Sequence, residues 1–121
     1  MRGIAALSKV RLPRLRDLSL SNNNISATGV ETLACLDHLR RLCLVRNLLG
    51  PDGALALARC TFPHLEELDL RLDGIREEGA RSLLDAPFLP HLRRLRLEGN
   101  GILDEGVKQR FRELLGARVE L

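Results

Sequence analysis

Leucine recurs at fixed positions along this chain, and that periodicity restricts the possible folds more than any other feature. The pattern is L-x-x-L-x-L-x-x-N-x-(I/L), and its copies begin at Leu15, Leu39, Leu65 and Leu92. The starting leucines lie 24, 26 and 27 residues apart. Asparagine fills the ninth position in three copies, and Asp73 fills it in the third. Four copies in phase over most of the chain predict a stack of similar units.

Each copy changes its hydrophobic period midway. The L-x-L segment alternates, which predicts a short strand with one buried face. Apolar residues then follow at helical spacing, for example Val30 with Leu33 and Ala54 with Leu57. Stacked strand–helix units form a parallel sheet on one side and a row of helices on the other. Because a helix is about 10 Å wide and strands lie about 4.8 Å apart, the stack bends with its sheet on the concave side.

The whole chain, residues 1–121, is predicted to form one domain. The predicted units are a half repeat at 1–11, repeats at 12–35, 36–61, 62–88 and 89–115, and a terminal strand at 116–121. The chain begins inside the helical part of a repeat, without a polar cap for its first strand edge. Terminal repeats ordinarily carry such a cap. We therefore expect either the C-terminal part of a larger solenoid or self-association through the uncapped N-terminal edge.

The segments LRDLSLSNNNISATGVETLA and LRRLRLEGNGILDEGVKQRF resemble the leucine-rich repeats of ribonuclease-inhibitor-like proteins. The ending VKQRFRELLGARVEL resembles the last helix and strand of bacterial proteins of this type. The resemblance covers nearly the whole chain and implies an α/β fold, a right-handed leucine-rich-repeat solenoid shaped as a horseshoe arc. Relatives include protein inhibitors, immune-receptor sensor regions and GTPase activators, so the resemblance implies a binding module without naming the partner.

Two features depart from that family. The repeats are shorter than the usual length of about 28 residues, and Asp73 replaces the repeat asparagine. The family's asparagine amide both donates to and accepts from neighbouring backbone, whereas an ionised carboxylate only accepts. Asp73 is therefore predicted to be a local weak point worth about 1 kcal/mol.

Binding is expected at the strand positions that face solvent on the concave side. The candidate partner-binding residues are Arg16, Asp17, Ser19, Arg41, Cys43, Val45, Glu67, Asp69, Arg71, Arg94, Arg96 and Glu98. Stacking predicts columns of alternating charge, namely Asp17–Arg41–Glu67–Arg94, Asp69–Arg96 and Arg71–Glu98. Two interpretations stay open for this face: charges that neutralise one another in solvent, and a surface evolved for a ligand.

Composition and motifs disfavour other classes of function. The net charge of +3 comes from 17 Arg and 2 Lys against 16 acids, and Trp and Tyr are absent. Interspersed acids and missing stacking aromatics argue against nucleic-acid binding. The sequence has no nucleotide-binding, zinc-protease or nucleophile-elbow motif, so we expect no catalytic residues, no cofactor and no enzyme activity.

Histidines and cysteines are interpreted as parts of the repeat. His38, His64 and His91 each precede the first leucine of a repeat and should line up about 5 Å apart, but no metal site is expected. Three cysteines without a C-x-x-C pair indicate a reduced, cytoplasmic protein, with Cys35 and Cys60 buried at helix ends and Cys43 on the concave strand. No apolar run is long enough to span a membrane.

These observations predict a non-catalytic protein–protein interaction module that binds its partner through the concave sheet face. The alternative is a regulator of a small GTPase, which rests on the family resemblance alone.

Overall fold

A computed structural model describes residues 15–121 of the chain. The predicted half repeat at 1–11 and the first residues of the next repeat, 12–14, lie outside the described residues. The strands are β1 (Asp17–Ser19), β2 (Arg41–Cys43), β3 (Glu67–Asp69), β4 (Arg94–Arg96) and β5 (Val119–Glu120). The α-helices are α1 (Ala27–Leu33), α2 (Gly50–Ala58), α3 (Arg76–Leu84) and α4 (Glu105–Leu115). Short 3-10 turns cover Leu89–His91 and Gly116–Arg118.

Within residues 15–121 the strands form one parallel sheet in the order β1-β2-β3-β4-β5. Each strand pairs with the strand of the next unit at the same repeat position, so that Leu18, Leu42, Leu68 and Leu95 lie side by side. A helix follows each of the first four strands in the chain. The predicted fold class, a solenoid of strand–helix units with a parallel sheet, is confirmed; the residue boundaries of the repeats stay predictions.

The core lies between the sheet and the helices and is almost entirely aliphatic. The inward strand leucines are closed to solvent, with Leu68 1% and Leu95 0% exposed. From the helix side, Leu57 and Leu83 are 0% exposed. Each fully buried leucine contributes about 1.5–3 kcal/mol relative to an exposed one, so these repeated positions supply much of the driving force for folding.

Gly79 allows two neighbouring helices to approach closely. A methyl group placed at Gly79 would lie 2.9 Å from the Ala54 Cβ and 3.3 Å from the Pro51 Cα. Because 2.9 Å is closer than Cβ atoms pack, α2 and α3 could not keep this contact with a larger residue. The equivalent Gly29 and Gly53 instead lie against Ile25 and Leu49 of their own repeats.

A ladder of side-chain amides holds the chain where it leaves each strand. The Oδ1 of Asn47 accepts hydrogen bonds from the backbone N–H groups of Asn23 (2.8 Å) and Ile25 (3.2 Å). Its Nδ2 donates to the carbonyls of Leu20 and Leu44, both at 2.9 Å. Asn100 makes the same set of contacts in the fourth repeat. These contacts satisfy buried backbone groups that neither strand nor helix reaches.

Asp73 occupies the ladder position between these two asparagines and is 0% exposed. Its Oδ1 accepts from the backbone N–H of Asn47 at 2.7 Å, while its Oδ2 is buried without a hydrogen-bond partner. Burial raises the pKa of this carboxyl group to about 7, against the opposing effect of backbone N–H donors led by that of Asn47. At this position the carboxyl group has no amide donor, as the sequence predicts, and its second oxygen atom is left without a hydrogen-bond partner.

Candidate functional site: the open face of the sheet

The open face is the side of the sheet that points away from the helices. The strand register brings Asp17, Arg41, Glu67 and Arg94 into one column. A second column consists of Ser19, Cys43, Asp69, Arg96 and Glu120. The predicted alignment of these positions is confirmed, because the register of a parallel stack follows directly from the repeat spacing.

The open face carries a cleft of about 340 Å³ that crosses β1 to β4. Eight of the twelve predicted partner-binding residues line it, namely Asp17, Ser19, Arg41, Cys43, Glu67, Asp69, Arg94 and Arg96. The strand segments at Leu18, Leu42 and Leu68 also border it, but the side chains of Leu42 and Leu68 belong to the core and are 2% and 1% exposed. Charged and polar side chains along a cleft fix the orientation of a bound segment by a few polar contacts.

The other four predicted residues lie elsewhere. Val45, Arg71 and Glu98 line a second cleft just beyond the ends of the strands, together with Leu72 and Gly99. Arg16 lies at the opposite end of the sheet, where the strands begin, and contributes to a third pocket. The structure thus divides the twelve residues among three neighbouring surfaces.

Ion pairs across the open face differ in part from the predicted columns. Arg41 Nε lies 2.7 Å from Glu67 Oε2, as the alternation of charge predicts. Arg94 pairs with Glu120 at 3.2 Å, although its neighbour in the column is Glu67. The strand register places residues side by side, but it does not determine which of two neighbouring carboxylates a long arginine side chain reaches.

Arg71 and Glu98 lie on neighbouring segments, as the predicted column requires, but the ion pair of Arg71 is with a different residue. Arg71 folds back onto Asp69, with Nε 2.9 Å from Oδ1 and Nη2 2.8 Å from Oδ2. This two-pronged contact matches the planar guanidinium to both carboxylate oxygens. The hydrogen bonds that Arg71 donates to Asp69 are also the main reason that the pKa of Arg71 is raised above its ordinary value. Glu98 lies 3.9 Å from Arg96.

Glu120 is a site residue that the sequence-based selection missed. Its Oε2 lies 2.7 Å from Arg96 Nε, although that N–H does not point at the oxygen and the contact is an ion pair without a hydrogen bond. The hydrogen bond from Arg94 holds the pKa of Glu120 below its usual value, and the nearby Arg96 acts in the same direction. The alignment of Val119 with Leu95 contained the signal, because it places Glu120 beside Arg96.

The half of the open face that β3 to β5 form is therefore a closed network of charges. Arg71, Arg94 and Arg96 are interleaved with Asp69, Glu98 and Glu120. Three arginines and three carboxylates give a formal sum of zero. This arrangement favours the self-neutralising interpretation for β3 to β5, and it holds these side chains in fixed positions at the wall of the cleft.

The near half of the open face is less charged. Ser19 and Cys43 lie side by side in the second column, and Ser21 Oγ lies 3.3 Å from Cys43 Sγ. Small neutral side chains leave this part of the cleft open. The two halves thus differ: β3 to β5 carry a charged frame, whereas β1 and β2 combine Ser19 and Cys43 with the charged Asp17 and Arg41.

The three cysteines occupy three different environments. Cys43 is partly buried on the open face, as predicted. Cys60 is buried, and burial raises the pKa of its thiol to about 11. The prediction that Cys35 is buried is wrong: it follows the end of α1 and is exposed. Cys35 corresponds to Arg59 of the next repeat, whereas Leu36 takes the buried position that Cys60 fills there.

The histidine column forms in part. The rings of His38 and His64 stack with their centroids 6.1 Å apart and their planes at 13°. Over residues 15–121, no group of three or more His, Cys, Asp or Glu side chains is arranged to hold a metal ion. In the same part of the chain, no helix combines the length and hydrophobicity needed to cross a membrane.

The repeated strand–helix unit and the parallel register are consistent with a leucine-rich-repeat solenoid. A family model described as Leucine Rich repeat matches residues 12–34 and 88–108, which lie mainly in the first and fourth predicted repeats. No curated protein matches the chain. Leucine-rich repeats generally mediate protein–protein interactions and are typically non-catalytic binding modules.

Proposed function

We propose that this protein binds a protein partner through the open face of its sheet, with the cleft across β1 to β4 as the contact. The observation that carries the proposal is the cleft itself, which is formed by the outward positions of four successive strands. Such a surface is built on hydrogen-bonded strands and needs little rearrangement on binding, which lowers the entropic cost of association.

The chemistry of the cleft favours an extended segment with a small side chain at its centre and a carboxylate at its side. Ser19 and Cys43 are the smallest side chains along the cleft and leave space for that segment. Arg41 and Arg94 stand at the wall and are 66% and 48% exposed as side chains. Their guanidinium groups would exchange a carboxylate of this chain for one on the partner.

We also propose that the repeats belong to the ribonuclease-inhibitor-like kind and that the protein acts in the cytoplasm. An α-helix after each of β1 to β4 supports the assignment to the ribonuclease-inhibitor-like kind. The three free cysteines support a location in the cytoplasm. Regulation of a small GTPase is the alternative, and no feature of the cleft favours it over binding of another protein.

Two of the cysteines allow a matched test of the binding face. The variant Cys35→Ser keeps Cys43 as a reporter on the open face, and Cys43→Ser keeps Cys35 as a reporter on the helix side. Each variant is labelled with a thiol-directed photo-crosslinker under native conditions, where the buried Cys60 does not react. Both are then irradiated in extract of the source cells, and crosslinked proteins are identified by mass spectrometry.

The proposal predicts a protein that crosslinks from Cys43 and not from Cys35. That crosslink should disappear when an excess of unlabelled wild-type chain competes. A partner captured only from Cys35 would move the interface to the helices and overturn the proposal. No saturable crosslink from either position, in extract of any growth condition, would equally contradict it.

A further inference from the structure

A pocket of about 430 Å³ lies where the strands begin, outside the open-face cleft. The described residues that line it are all basic or titrate to a cation: Arg16, His38, Arg40 and His64. All four are exposed. We call this the basic pocket. A partly enclosed site surrounded on every side by potential cations attracts an anion.

The repeat accounts for this arrangement. The histidines precede the first leucine of their repeats, and the arginines follow it, so that stacking sets two columns next to each other. The carbonyl of Arg16 accepts from the backbone N–H groups of Arg40 (2.7 Å) and Arg41 (3.0 Å), which holds Arg16 and Arg40 in register. The rings of His38 and His64 are stacked at 6.1 Å. The backbone of the pocket is therefore rigid before any ligand arrives.

The side chains that line the basic pocket carry no carboxylate, although Asp17, Asp37 and Glu66 nearby formally balance Arg16, Arg40 and Arg93. Glu66 is shared by Arg40, whose Nη1 lies 2.9 Å from Oε2, and by Arg93, whose Nε lies 3.9 Å from Oε1. One carboxylate thus faces two guanidinium groups, and Arg16 adds a third. The other charged groups beside the four residues in the chain are Asp17, Asp37 and Arg41, of which Arg41 is paired with Glu67.

We infer that the basic pocket binds a phosphate group. Two planar guanidinium forks and two imidazole rings present more N–H donors than the two oxygens of a carboxylate can accept, whereas a phosphate offers three or four oxygens and up to two charges. All four side chains line the same pocket, so one phosphate group can contact both kinds of donor.

The test follows the Cε1–H resonances of the three histidines by NMR while inorganic phosphate is added at constant ionic strength. His91 has the same position in its repeat but lies outside the basic pocket, so it is an internal control. The prediction is a saturable shift of the His38 and His64 resonances, with His91 unchanged. In Arg16→Gln/Arg40→Gln the midpoint should rise at least about tenfold. The matched variant Arg110→Gln/Arg112→Gln loses the same charge on α4 and should keep the wild-type midpoint.

Three results would overturn the inference. They are a linear, equal drift of all three histidines, an unchanged midpoint in Arg16→Gln/Arg40→Gln, and an acetate midpoint equal to that of phosphate. A parallel titration with a phosphoserine peptide separates the sources of the group. A peptide midpoint below that of inorganic phosphate assigns the pocket to phosphorylated protein, and equal midpoints assign it to the free ion. This test does not involve capture of a partner, so its failure leaves the proposed function unaffected.

Discussion

Replacement of Asp73 by asparagine should stabilise the protein, and the gain should depend on pH. Asp73 is 0% exposed and holds a buried, unpaired Oδ2 in the position where Asn47 and Asn100 place an amide donor. The asparagine NH2 would donate to the carbonyls equivalent to those that Asn47 uses, which are Leu44 and Leu70. Each added hydrogen bond to a buried carbonyl contributes about 1 kcal/mol.

The larger contribution comes from ionisation. Burial raises the pKa of Asp73 from 3.8 to about 7. Between these values the unfolded chain carries an ionised Asp73 and the folded chain a protonated one, so folding takes up a proton. Stability is therefore lost as the pH rises from about 4 to about 7 and stays low above that range. Three pKa units at about 1.4 kcal/mol each correspond to about 4 kcal/mol at pH 8.

Urea denaturation followed by far-ultraviolet circular dichroism at pH 5, 6, 7 and 8 measures this effect without tryptophan. Asp73→Asn should be more stable than wild type by about 4 kcal/mol at pH 5 and by about 6 kcal/mol at pH 8. Asn47→Asp is the matched reverse change in the same ladder, and it should lose stability with the same pH profile. A difference between Asp73→Asn and wild type that does not vary with pH would refute the reasoning.

Three further predictions concern single side chains. Leu57→Ala should lower the free energy of unfolding by about 3 kcal/mol, because it opens a cavity at a position that is 0% exposed. Leu55→Ala, at a position that is 38% exposed, should lower it by less than about 1 kcal/mol. Urea denaturation at pH 7 compares the two variants. Leu48 has φ 56° and is 77% exposed, so Leu48→Asn should raise the free energy of unfolding by about 1 kcal/mol, measured by thermal unfolding. Leu103 is 79% exposed and has no positive φ, so Leu103→Asn should change stability little. A thiol reagent should modify Cys35 fastest, Cys43 more slowly and Cys60 only after unfolding, and rapid native modification of Cys60 would contradict its burial.

The sequence predicts the fold well because the fold is a sum of local repetitions. The leucines at the fourth and sixth positions of each copy must share one face of a strand, and a constant spacing places successive strands in register. This reasoning anticipated the column of Leu42, Leu68 and Leu95 before any tertiary contact was considered. It also anticipated the weak position at Asp73, because the ladder needs a donor that a carboxylate lacks.

Side-chain partners could not be predicted in the same way. The pattern places Arg94 near two carboxylates, and only the path of β5 decides that Glu120 is the partner. Ser26 is the N-cap residue of α1, and serine favours that position, yet its side chain makes no capping hydrogen bond there. Asp104, by contrast, caps α4 through the N–H groups of Gly106 and Val107. Such choices depend on rotamers and on neighbours from other repeats.

Arg118, which directly precedes β5, is another side chain whose partners the repeat pattern does not predict. Repeat alignment would place Arg118 beside Arg94 on the open face. Its guanidinium instead donates to the carbonyls of Leu115 (2.9 Å), Leu114 (3.0 Å) and Leu92 (2.8 Å). The last carbonyls of α4 have no partners within the helix, and an arginine fork satisfies several of them at once. The repeat pattern carries no information on which side chain pairs with these carbonyls, so it could not predict the position of Arg118.

The most direct test of partner binding through the open face is a steric block at a single position. The partner identified by crosslinking is titrated against wild-type protein, protein labelled at Cys43 with a bulky maleimide, and protein labelled at Cys35 with the same reagent. If the cleft is the contact, the Cys43 label abolishes binding and the Cys35 label leaves the dissociation constant unchanged. Equal affinity for all three proteins would contradict the assignment of the binding site to the open face.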